Sequence, residues 1–139
     1  MKIFTAACLL ALLITAGSAC ADGPKRVKFT WSGGEAVAEL EANPSAESLW
    51  AMLPLTLDFE DFNGTERIAY PDAKISTDGA PESYKPGSGD LALYAPWGNI
   101  SVFYRPFRES RGLVPLGRFV EGAEKIRTLG GGVRIEAVK

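Results

Sequence analysis

Four aromatic residues and an arginine crowd one short stretch of this chain: Tyr94, Trp97, Phe103, Tyr104 and Arg105. Aromatic faces hold apolar rings and cations, and an arginine fork matches carboxylate or phosphate oxygens. Such side chains are binders first. The groups that would turn binding into nucleophilic chemistry are missing. There is no histidine, and both cysteines, Cys8 and Cys20, fall within the first 21 residues. From residue 22 onward no Ser–His or Cys–His pair can form, and zinc loses its nitrogen and sulfur ligands. Asp58, Glu60 and Asp61 lie close together. Asp58 and Glu60 share one face of an extended segment, opposite Leu57 and Phe59, which suits a solvated face better than an acid–base pair in a cleft. No Asp-x-Asp-x-Asp-Gly calcium pattern occurs, and Gly130-Gly131-Gly132 lacks the Lys-Ser/Thr of a phosphate loop. We therefore expect no catalytic residue, no metal and no cofactor.

The elements that must position the aromatic stretch read as strands. Leu91 to Ala95 is a short apolar run, Pro96-Trp97-Gly98-Asn99 has turn chemistry, and Ile100 to Arg105 alternates. That pattern predicts a hairpin over 87–105 whose second strand is half-buried, with Ile100, Val102 and Tyr104 opposite Ser101, Phe103 and Arg105. Phe103 and Tyr104 cannot both face one core. Trp97, at the turn, either stands out as a binding face or folds back as a plug. Before the hairpin, Val27–Trp31 and Glu35–Glu41 alternate around Ser32-Gly33-Gly34, a first hairpin. Asn43-Pro44 opens a helix that Pro54 stops, with Ala46, Leu49, Trp50 and Leu53 on one face. Leu55–Phe62 and Thr65–Tyr70 flank Asn63-Gly64, a strong hairpin signal. Residues 71–86 read as a long surface loop, and 106–112, with Arg108 and Arg111, as a hydrated polar connection. Val114–Val120, a short helix over 123–129 and a last strand over 133–138 complete the chain.

Residues 1–21 carry Lys2, an uncharged apolar run from Phe4 to Ala16, and Ala19-Cys20-Ala21 before Asp22. This is the pattern of a secretory signal, so 1–21 is expected to be a signal peptide and 22–139 the folded domain, exported to a periplasmic or secreted setting. Lipidation at Cys20 is the alternative that would place it at a membrane. With Lys2 removed from the 15 basic residues, 17 acidic ones leave the rest at net charge −3. That gives no electrostatic reason to expect nucleic acid or an anionic membrane as partner.

The residues Leu53-Pro-Leu-Thr-Leu57, Asn63-Gly-Thr-Glu-Arg-Ile68, Gly89-Asp-Leu-Ala-Leu-Tyr-Ala-Pro-Trp-Gly-Asn99, Phe103-Tyr104 and Leu116-Gly-Arg118 resemble the bacterial cyclophilin-like proteins. The resemblance implies a mainly β fold, a closed antiparallel eight-stranded barrel with two short helices. True cyclophilins isomerise X-Pro bonds, which needs an arginine to stabilise the twisted amide and an apolar pocket for the ring. True cyclophilins place that arginine in a Phe-His-Arg segment and follow it with a Gln-Gly-Gly-Asp run. This chain has neither histidine nor glutamine, and Ser88-Gly89-Asp90 is only an echo of that run. The expected function is thus a binding module for an extended peptide or small ligand. Its surface would be Tyr94, Trp97, Phe103 and Tyr104, with Arg67 or Arg105 as polar anchor. A divergent peptidyl-prolyl isomerase using the same residues, and a domain that only contacts other proteins, are the alternatives.

Overall fold

The computed structural model describes residues 23–139; the signal-like stretch, Cys8 and Cys20 lie outside the described residues. The N-terminal hairpin forms as its alternation requires. Strand β1 (Arg26–Trp31) pairs with β2 (Gly34–Leu40), and Val27, Phe29, Trp31, Ala36, Ala38 and Leu40 all turn to the core. Helix α1 (Pro44–Ala51) starts on Asn43, whose side-chain oxygen accepts from the Ala46 N–H at 2.8 Å. The same side chain donates to the Pro115 carbonyl at 2.9 Å, so one residue both caps the helix and ties it to the sheet.

The segment expected as one strand over 55–62 divides in two, β3 (Leu55–Leu57) and β4 (Glu60–Phe62). The cause lies in the glycine turn at 130–132. Phe59 N–H donates to Gly130 O at 2.7 Å and Gly132 N–H donates to the Asp58 carboxylate at 2.8 Å, which takes these residues out of the ladder. Asn63 and Gly64 then turn the chain at φ 54° and 61°, left-handed geometry that Asn and Gly tolerate. Strand β5 (Glu66–Ala69) follows. The long loop carries a two-residue strand, β6 (Ser83–Tyr84), paired with β9 (Ser110–Arg111). Upstream it is pinned to α1: Ile75 is buried, Ser45 Oγ donates to Ser76 O, and Ser76 N–H donates to Ser48 Oγ.

The central hairpin consists of β7 (Asp90–Tyr94) and β8 (Asn99–Phe103); β10 (Leu113–Glu121), a 3₁₀ helix (Ala123–Thr128) and β11 (Val133–Ala137) follow. Nine strands form one antiparallel sheet in the order β3-β11-β1-β2-β10-β7-β8-β5-β4. The expected closed eight-stranded barrel is therefore corrected. The sheet is an open half-barrel of nine strands, because the break at Asp58–Phe59 leaves β3 on β11 and β4 on β5, unpaired with each other. Where β10 crosses β2, Gly117 has no room for a side chain, since a Cβ there would run into the Glu39 carbonyl.

Two apolar clusters lie on opposite faces of the sheet. The main one gathers Val27, Phe29, Leu49, Leu91, Leu93, Ile100, Val102, Leu116, Leu129 and Ile135. A smaller one gathers Ala92, Phe103 and Leu113, with Tyr84, Tyr94 and Phe107 packed against it. Strand β8 runs between the two, so all five of its residues are buried, in place of the half-buried strand that the alternation predicts.

Candidate functional site

Strand pairing sorts the candidate residues onto two faces, since directly opposed residues point the same way. Phe62 opposes Glu66, Glu66 opposes Phe103, and Tyr94 opposes both Asn99 and Leu113. These residues belong to the face of the smaller cluster. Asp61 opposes Arg67, and Arg67 opposes Val102, a residue of the main core.

On the first face a pocket of about 270 Å³ opens between the 63–64 turn, the 95–98 turn and the 104–112 segment. Phe62, Tyr94, Trp97, Phe103 and Phe107 supply its aromatic lining. Trp97 is 53% exposed. It stands edge-on to Phe62 and Tyr94, with ring centres at 5.6 and 5.3 Å, so it is neither a buried plug nor free in solvent. Phe103 is 1% exposed, stacked with Phe107 at 6.3 Å.

The polar side of the pocket is a relay. Asn99 Nδ2 donates to Ser101 Oγ at 2.9 Å, and Ser101 Oγ donates to Glu66 Oε1 at 3.1 Å. Burial pushes the Glu66 carboxyl up, and the Ser101 hydrogen bond only partly offsets this. Asn99 is 1% exposed, and its Oδ1 has no hydrogen-bond partner among the described residues. Arg108 and Arg111, expected to be merely hydrated, also line the pocket. Arg111 is paired with Glu82 at 2.7 Å, and Arg108 lies over the Phe107 ring at 5.0 Å.

The remaining expected residues gather elsewhere. Arg67 Nε donates to the Leu129 carbonyl at 2.8 Å and its guanidinium lies 3.6 Å from Asp61. Tyr104 Oη donates to Asp61 at 2.6 Å, which holds the Asp61 carboxyl below its usual range and raises the phenol. Arg105 and Arg127 each stand 5.9 Å from the centre of the Tyr104 ring. Tyr94, Trp97 and Phe103 are thus brought together, whereas Arg67, Tyr104 and Arg105 form a separate polar cluster and do not line the pocket. The six residues expected on one surface thus fall into two groups, since alternation along β5 sends Arg67 and Glu66 to opposite faces.

Phe62, Glu66, Asn99, Ser101 and Phe107 escaped the sequence reading. Asn99 looks like a turn residue, but it stands buried at the start of β8. The echo Ser88-Gly89-Asp90 has a structural job. Asp90, 2% exposed, accepts from Tyr84 Oη and Gly87 N–H, both at 2.7 Å, and from Arg118 Nε at 3.0 Å, locking the 84–90 segment onto β10. Among the described residues, no group of three or more carboxylates gathers as metal ligands.

A family model described as the cyclophilin-like family matches residues 29–137, and the chain belongs to that family. A solved structure, that of a hypothetical protein from Archaeoglobus fulgidus, superposes with a TM-score of 0.65 at 18% identity. The match covers 83% of this chain and 95% of the other, and it shows a shared fold. No curated protein sequence matches.

Proposed function

We propose that the protein is a non-enzymatic binding module that takes an extended peptide segment or a small ligand in the pocket on the outer face of β5, β7 and β8. The observation that carries this reading is the pairing of an exposed aromatic floor with a buried polar relay. Trp97, Phe62 and Tyr94 offer apolar contact, and Asn99 and Glu66, linked through Ser101, bring fixed polar groups to the lining. A mainly apolar concavity with a few convergent polar groups is what small-ligand and peptide sites share. Saturation-transfer NMR with small aromatic compounds and short X-Pro peptides tests it. We expect transfer that Trp97→Ala weakens about tenfold or more, as loss of an aromatic anchor does. Binding that Trp97→Ala leaves untouched would contradict the pocket. Exchange spectroscopy on the same peptides separates binding from catalysis, and cis–trans exchange accelerated in proportion to added protein would contradict the non-enzymatic reading. The pattern of residues 1–21 supports an exported setting. N-terminal sequencing of protein recovered from the cell envelope or medium is expected to begin at Asp22.

A further inference from the structure

Within the relay, Asn99 and Ser101 have spent their donors. One Asn99 N–H goes to Ser101, the other points to Ile100 O at 3.4 Å, and the Ser101 hydroxyl goes to Glu66. Acceptors are left over. Glu66 Oε2 has no hydrogen bond among the described residues; Asn99 Oδ1 likewise has no partner among them, but it is closed to solvent. Beside these oxygens the Trp97 ring meets Phe62 at 86° and Tyr94 at 80°, so the rings form perpendicular walls and not a stack. Ring faces attract a cation within about 6 Å. A carboxylate accepts its N–H bonds.

We propose that the pocket takes a ligand bearing a protonated amine, seated on the Glu66 carboxylate between the rings of Phe62, Tyr94 and Trp97. This rests on the binding reading above and specifies the chemistry of its ligand. A neutral donor such as an amide would use the same oxygens but gain less from the ring faces and the carboxylate. Burial disfavours the ionised Glu66 in the free protein, and an incoming cation relieves that penalty. The opposing charges stand at the mouth. Arg111 is engaged by Glu82, and Arg108 lies over Phe107 and is solvent-exposed. Arg108 would favour an anion, which makes an anionic probe the necessary control.

The test uses three probes that share one ring and differ in charge: benzylammonium, benzyl alcohol and benzoate, each titrated into ¹⁵N-labelled protein. Benzylammonium is expected to shift the Glu66, Trp97 and Asn99 amides and to bind about tenfold tighter than benzyl alcohol, with benzoate weakest. Glu66→Gln is expected to weaken benzylammonium more than benzyl alcohol, closing the gap between the two. Benzyl alcohol binding as tightly as benzylammonium, or benzoate binding more tightly, would overturn the amine while leaving a binding pocket. Shifts in the pocket from none of the three would overturn both. The comparison on unmutated protein decides the matter even where the variant fails to fold.

Discussion

Asp90 and Glu66 are both carboxylates withdrawn from water, and they play opposite energetic parts. Asp90 accepts three hydrogen bonds, and Asp90→Ala would leave the Tyr84 hydroxyl and the Gly87 N–H without their acceptor. We expect that change to cost about 2–3 kcal/mol in urea unfolding, the scale of lost hydrogen bonds to a charged group. Burial first, and the bond to Asp90 second, push the Tyr84 phenol up to about 12. Because its folded pKa lies above the ordinary value of 10.0, the stability it contributes is whole below pH 10.0 and fades as pH rises toward about 12. An alkaline absorbance titration should therefore show a late-ionising tyrosine that Tyr84→Phe removes. Glu66 has only Ser101 to offset its burial, and its folded pKa is raised above 4.5. Ionising it thus costs stability as pH rises through that range. Glu66→Gln should be more stable than the parent at pH 7, with the gap closing below 4.5 in paired thermal melts. A gap unchanged with pH would mean that the carboxylate is not strained by burial.

The elements that the sequence foretells best are those coded by contiguous residues. Asn43-Pro44 starts α1, Asn63-Gly64 turns β4 into β5, and Pro96 to Asn99 turns β7 into β8. What sequence alone could not supply is the second bond of each such residue. Asn43 reads as a helix cap, and its tie to Pro115 crosses from helix to sheet. Asn43→Ala should cost about 1–2 kcal/mol, at the upper end for a lost cap, with the urea midpoint lowered and the slope unchanged. A loss of only a few tenths would mean that the Pro115 bond contributes nothing. Likewise, the break in the 55–62 segment depends on the glycine turn some seventy residues later. No local pattern announces it, and with it the closed barrel gives way to an open sheet.

For the whole molecule, the two faces of the sheet divide the main core from the pocket that we propose as a binding site. The main core rests on residues such as Phe29, fully buried and packed edge-on to Phe119 at 5.0 Å. Phe29→Ala should cost about 3–5 kcal/mol, whereas Trp97→Ala, which removes only edge contacts at the surface, should cost about 1 kcal/mol or less. Both are read from denaturant curves. The aromatic half of the site was visible in the sequence because Tyr94, Trp97 and Phe103 sit in one hairpin. The polar half was not, since Glu66, Asn99 and Ser101 meet only once β5 pairs with β8.

The measurement that tests the central claim most directly is amide chemical-shift mapping of ¹⁵N-labelled protein against a panel of small aromatic compounds and X-Pro peptides. The account predicts perturbations centred on Phe62, Glu66, Trp97, Asn99 and Phe107. Perturbations centred instead on Arg67, Tyr104, Arg105 and Arg127, or on β1 and β2, would contradict it.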